Sequence, residues 1–375
     1  MVKIAADKMK ESFERHRASP RISIEEHVRS RQLGLAQSVL AKQRVYLDKN
    51  FWILIREAAM GRRAPEAAHQ LLHGLRQRAG GGEIVCPISE SLFMELMKQS
   101  DPETRGATAQ LIDELSGGVT LIPNDRRIAT EVAHLIYSLA GRNVHAIETL
   151  VWTKLSYVLG EQHPVNRAFD AAETLVIQKA FFDHMWECSL AEMMDVLGDA
   201  TPPVNDFDQV AERLNVESAR HAGDLRTFAQ TYRAEIRGCL SVAMPTARQV
   251  LEQLVEASPG ALAGTPLAEQ RACEQQLLDY LCAAITAKEV AVALRTLHIG
   301  ALCHAAVRWD KRRKLTGNDL FDFHHAEAAV GYCNVFLTDG PLHTMLQQGH
   351  MKIGEYFGCE IISSPEKAAA YLSVY

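Results

Sequence analysis

NDLFDFHHAEAAVGYCNVFLTD, residues 318–339, is the stretch on which the fold turns. Apolar and small residues at helical spacing run from Asp319 to Tyr332 and predict a helix. Asn334–Thr338 is short, apolar and rich in strand-forming residues, and predicts a buried strand. Thr316-Gly-Asn318 supplies the turn and cap that open the helix. Asp322 stands between Phe321 and Phe323, and Asp339 follows Val335, Phe336, Leu337 and Thr338. Acids among apolar neighbours are costly unless something positive meets them.

Two more acids of this kind lie upstream. Val45-Tyr-Leu47 reads as a short buried strand ending in Asp48, with a helix after Asn50. Glu83–Pro87 reads as a second strand, after which Ser89 caps a helix, Glu90–Lys98. Within that helix Glu95 has three apolar residues before it and two after, unlike a solvated face. Glu90, in the first turn, is accounted for by the helix dipole. Gly117–Pro123 reads as a third strand, followed by a helix from about Arg126. Alternating strands and helices imply a parallel sheet flanked by helices, an α/β fold.

From 141 to 308 the periodicity is almost wholly helical, and strand signals return only with Asn334 and with the closing strand Glu360–Ser363. The helical tracts are Val144–Leu159, Asn166–Leu197, Asp206–Ala243, Ala247–Ala257, Leu267–Thr286 and Lys288–Asp310, with breaks at Gln162–Pro164, Thr201–Pro203, Met244-Pro245 and Ser258–Gly260. The predicted organisation is a helical arm over 1–42, a discontinuous α/β domain over 43–140 and 309–375, and an all-α insertion over 141–308.

The net charge of −6 excludes a uniformly basic coat but not a local basic groove. Residues 1–44 carry ten Lys/Arg against five Asp/Glu, and Ser23-Ile-Glu-Glu26 has the form of a capping box. Lys311, Arg312, Arg313 and Lys314 form a basic run just before the organising helix and are candidate phosphate contacts. The eight cysteines are spaced singly, which disfavours a cysteine zinc site and points to reduced thiols in a cytoplasmic protein. No signal peptide or membrane-spanning run is apparent, so no membrane partner is expected.

In a parallel sheet the strand ends and the starts of the following helices share one edge. Asp48, Glu95, Asp322 and Asp339 are therefore predicted to meet there around Mg2+ or Mn2+, hard cations that suit carboxylate oxygens. A bound metal activates water and shields a phosphodiester under attack.

These residues carry a resemblance to the PIN-domain nucleases. Asp48-x-Asn50 resembles that family's D-x-N, Ser89-x5-Glu95 its S-x5-E, Asp322 with Ala326, Ala328 and Ala329 its third acid, and Phe336-Leu-Thr338-Asp339 its closing motif. The similarity spans roughly 40–140 and 310–375. Many members place one residue between the Thr and the last Asp, and this chain places none.

The resemblance implies a PIN-like metal-dependent nuclease, an endoribonuclease with RNA favoured over DNA, acting as a toxin, in defence or in RNA processing. It implies that Asp48, Glu95, Asp322 and Asp339 are catalytic metal ligands. Asn50 and Thr338 then orient the ligands. Asp319 is either an extra ligand or a helix cap. The rival reading is a catalytically weak PIN-like scaffold whose helical insertion binds a regulatory protein or a second copy. An aspartyl-nucleophile phosphohydrolase is disfavoured, because that chemistry wants D-x-D where this chain has Asp48-Lys-Asn50. His324, His325, Tyr46, Phe51 and Trp52 read as packing residues, and Asp113, Glu114 and Asp125 as loop or cap acids.

Overall fold

The structure is a computed structural model that describes residues 2–165, 168–197, 206–220, 223, 225–256, 267–351 and 353–373. The described residues form a mixed α/β, mostly helical protein. The strands are β1 (Gln43–Leu47), β2 (Ile84–Val85), β3 (Val119–Leu121), β4 (Trp152–Lys154), β5 (Val335–Leu337) and β6 (Glu360–Ile362). One sheet is parallel, in the order β2-β1-β5-β6. The chain divides into two compact units, 1–44, 52–123 and 148–202 in the first and 45–51, 124–147 and 203–375 in the second.

In the first unit, Gln43 and Arg44 of β1 pair with Ile84 and Val85 of β2. The capping box at Ser23 and Glu26 opens the helix Ile24–Leu40 as the spacing predicts. Two expectations fail here. β3 does not extend the parallel sheet; it pairs antiparallel with β4, and only an isolated parallel bridge links Ile88 to Thr120. The tract Val144–Leu159, read as helix, instead holds β4 between two short 3-10 turns, Ile147–Thr149 and Leu155–Tyr157. Val151, Trp152 and Leu155 are fully buried. Their apolar spacing is real, but pairing with β3 decides their conformation. Asp113 caps a neighbour, accepting from the Leu190 and Ala191 N–H groups at 2.7 and 2.9 Å.

In the second unit, Val45, Tyr46 and Leu47 of β1 pair with Val335, Phe336 and Leu337 of β5, which pairs in turn with β6. The helix Gly317–Tyr332 begins at a Thr316 capping box and ends just before β5. A break was expected at Met244-Pro245, yet the helix Phe228–Glu256 runs straight through Pro245. An interior proline costs a helix about 3 kcal/mol. Ala243, Met244, Ala247 and Val250 are buried in one apolar cluster with Ile236, Leu240 and Leu281, and that burial offsets the loss.

The two units cut across the predicted core-plus-insertion division: residues 148–202 belong to the first and 203–308 to the second. Asn166–Leu197 contains two helices, Ala171–Trp186 and Leu190–Leu197, with Asn166 itself outside the described residues. The expected breaks at 201–203 and 258–260 also fall outside them.

Candidate functional site

The pairing of β1 with β5 aligns Leu47 with Leu337, and the Asp48 N–H extends the ladder to the Leu337 carbonyl at 3.0 Å. Thr338 in turn donates to the Ile362 carbonyl. Asp48, Thr338 and Asp339 thus stand at the carboxyl ends of neighbouring parallel strands, the edge where open sheets gather their sites.

Asp48 is buried, and both its oxygens are engaged. Oδ1 accepts the Phe51 N–H at 3.0 Å, which caps the helix Lys49–Ala59, and Oδ2 accepts the Asp339 N–H at 2.9 Å. Asp339, half-buried, caps the helix Gly340–Leu346 by accepting from the Leu342 N–H with Oδ1 at 3.0 Å. Burial pushes the Asp48 carboxyl above its ordinary value. The Phe51 N–H, His325 and the Thr338 hydroxyl pull it back, while the Asp339 charge raises it further. A cation placed beside Asp48 would favour its charged form.

Mg2+ is commonly held by one or two carboxylates, with waters and substrate phosphates completing its shell. The donor set of Asp48 and Asp339 fits that pattern. It is all oxygen and comes from adjacent strand ends, and among the described residues no group donates to Asp339 Oδ2.

The remaining predicted residues are placed as follows. Glu95 is buried in the helix Glu90–Met97 of the first unit, between Met94 and Leu96. Asp322 is half-buried on the helix Gly317–Tyr332, three residues before His325 and so on the same face. Thr338 is fully buried and Asn50 is exposed in the first turn after Asp48. Asp319 is a helix cap: its carboxylate accepts from the Thr316 N–H at 2.8 Å and also pairs with Arg313. Arg312 is 94% exposed, whereas Lys311, Arg313 and Lys314 line a cavity of about 200 Å³ together with Glu235 and Arg308. Tyr46, Phe51 and Trp52 are core residues, and His324 packs edge-on against Phe207.

Among the described residues, one trio of His, Cys, Asp or Glu side chains has its donor atoms all within 4.8 Å of one another. It is His16, His27 and Asp183, not a trio drawn from the four predicted acids. Sequence reasoning passed over these three, which lie on separate helices without a fixed spacing. It also treated His325 as packing alone. His325 is buried beside Asp48 and shares a 2.7 Å hydrogen bond between its Nδ1 and the Tyr46 hydroxyl. Glu131 was missed as well: fully buried, it accepts from the Thr296 N–H at 3.0 Å and the Tyr332 hydroxyl at 2.6 Å. Glu327 was missed too. It stands between Ala326 and Ala328, but His324 and His325 come before them, so the run of three apolar residues that singled out Glu95 is absent. Burial pushes its carboxyl up to about 8, against the pull of Arg127 and an Asn124 hydrogen bond.

Comparison with protein-family models, curated proteins and solved structures returned no match for this chain. No helix among the described residues is long and apolar enough to cross a membrane.

Proposed function

We propose that this chain is a PIN-like metal-dependent nuclease that hydrolyses phosphodiester bonds, with RNA as the favoured substrate. The observation that carries the reading is the 2.9 Å hydrogen bond from the Asp339 N–H to Asp48, which sets two carboxylates side by side at the ends of β1 and β5. Asp48 and Asp339 are the residues that would hold Mg2+ or Mn2+, and Asp322, in the same unit, is the acid assigned to join them. The ion supplies charge compensation for the carboxylates and the phosphate, and it lowers the pKa of bound water. The backbone N–H groups of Phe51 and Asp339 fix the Asp48 oxygens, so the carboxylate needs no reorganisation to serve as a ligand. His325 stands close enough to Asp48 to favour its charged form. Lys311 and Lys314 are assigned to the substrate backbone. The reading carries a cytoplasmic location and no membrane partner.

A second reading has an observation of its own. Asp48 and Asp339 each cap a helix, so both have a structural reason to be present in a catalytically weak scaffold that binds a partner protein.

A cleavage screen decides between them. Single-stranded RNA, single-stranded DNA and duplex DNA are incubated with Mn2+ and wild type, beside the double variant Asp48→Asn with Asp339→Asn. Cleavage of RNA by wild type alone supports the nuclease. No Mn2+-dependent cleavage of any substrate, or equal cleavage by the double variant, removes it.

A further inference from the structure

Three helices of the first unit, Val2–Arg17, Ile24–Leu40 and Ala171–Trp186, bring His16, His27 and Asp183 together. His16 Nε2 lies 2.8 Å from Asp183 Oδ2, and His27 Nε2 lies 2.9 Å from Oδ1. The Ser12 hydroxyl donates to Oδ2 at 2.8 Å. We propose that His16, His27 and Asp183 are a binding site for a divalent first-row transition metal, Zn2+ foremost, which clamps the two N-terminal helices to the helix Ala171–Trp186.

The donor chemistry selects the class of ion. Two imidazoles and one carboxylate, with a water as fourth ligand, are an ordinary zinc set, whereas Mg2+ prefers oxygen alone. This assignment is therefore independent of the Asp48–Asp339 pair and of the nuclease reading. Zinc bonds of 2.0–2.1 Å in tetrahedral array separate the donor atoms by about 3.3 Å. The two imidazoles face different oxygens of the Asp183 carboxylate, and one donor atom from each of the three residues lies within 4.8 Å of the others, so side-chain torsions have to adjust the set to that spacing when the ion binds.

The surroundings suit a bound ion. Ser12 is buried and donates to Oδ2 of the carboxylate, as outer hydrogen bonds do at metal sites. The two imidazoles meet edge to face at 4.7 Å, and Phe182 closes on His27 at 5.7 Å. Phe182, Tyr157 and Trp186 belong to one buried cluster that limits water. Lys179, the nearby buried cation, is held by the Ser19 and Ile22 carbonyls at 3.1 and 3.0 Å, so it does not occupy Asp183. Arg15, 3.9 Å from Oδ2, is 62% exposed and free to turn to solvent.

The test uses tag-free full-length protein dialysed against chelator. Co2+ is added and its visible spectrum recorded, and Zn2+ per chain is measured by elemental analysis after gel filtration. The expected result is one equivalent of Zn2+ and an intense tetrahedral Co2+ band. The band survives in Asp48→Asn with Asp339→Asn, is lost in His27→Gln, and in Ser12→Ala needs about 10- to 100-fold more metal. Circular dichroism confirms that the variants are folded, and His27, at the edge of the cluster, is the milder substitution. Wild type without a bound equivalent or tetrahedral band overturns the proposal, and so does an unchanged band in folded His27→Gln.

Discussion

Replacing Asp48 by Asn separates what the residue holds from what it binds. Its two oxygens each accept one backbone N–H, from Phe51 and from Asp339. An Asn side chain has a single acceptor oxygen, so one of these buried donors must face an NH2 group. Leaving a buried donor unmet costs about 1–3 kcal/mol, and with relief of the buried charge acting in the opposite direction this is an upper range. In local terms it is an acceleration of amide exchange by about 5- to 150-fold. Hydrogen exchange read by mass spectrometry on peptides covering 48–54 and 337–344 is expected to show one segment accelerated and the other close to wild type, with the rest of the chain unchanged. The same experiment with Mn2+ tests the metal. A carboxyl raised by folding contributes full stability below its ordinary value of 3.8, and that contribution is lost as pH rises through its folded value. At neutral pH Asp48 is therefore held at a cost that a cation relieves. Mn2+ should slow exchange of both segments in wild type and not in Asp48→Asn. Wild-type exchange at both amides, or equal Mn2+ protection in the two proteins, would refute the reasoning.

Three further expectations concern the second unit. Glu327, with its carboxyl at about 8, favours the folded chain while protonated, so the thermal midpoint should fall as pH rises from 7 to 9 and Glu327→Gln should flatten that fall; a wild-type profile level across the range counts against it. Glu131→Gln places an NH2 among the Thr296 and Tyr332 donors and should cost about 2–4 kcal/mol in urea unfolding, against about 1 kcal/mol for Tyr332→Phe; equal midpoints for the three proteins would be inconsistent with the network. Lys311→Ala with Lys314→Ala should weaken binding of single-stranded RNA and reduce the slope of log affinity against log salt by about 1.4, and an unchanged slope would return both lysines to an ordinary solvated surface.

Local sequence patterns were a sound guide where the chain's own chemistry sets the conformation. The Ser23 and Thr316 boxes, the short apolar strands β1, β5 and β6, and the final helix Pro365–Ser373 follow from caps and periodicity close to where they were read. Pattern failed where a distant partner decides the outcome. Trp152–Lys154 became a strand because β3 presented an edge to it, and Pro245 stayed inside a helix because its neighbours were buried on both sides. The same division runs through the candidate sites. Burial of Asp48 and Glu95 was legible from their apolar neighbours, whereas Asp322 and Asp339, chosen on the same ground, are half-buried, and the buried Glu131 and Glu327 were not picked out.

The chain alone indicated the burial of Asp48 and Glu95 and the caps at Ser23 and Thr316, because capping and apolar burial act over a few residues. Only the tertiary structure decided which groups meet. Parallel pairing of β1 with β5 brings Asp339 to Asp48 across 291 positions, and three separate helices carry His16 and His27 to Asp183. Hydrogen bonds and ligand bonds act over about 3 Å in space, and no spacing in the sequence encodes that distance.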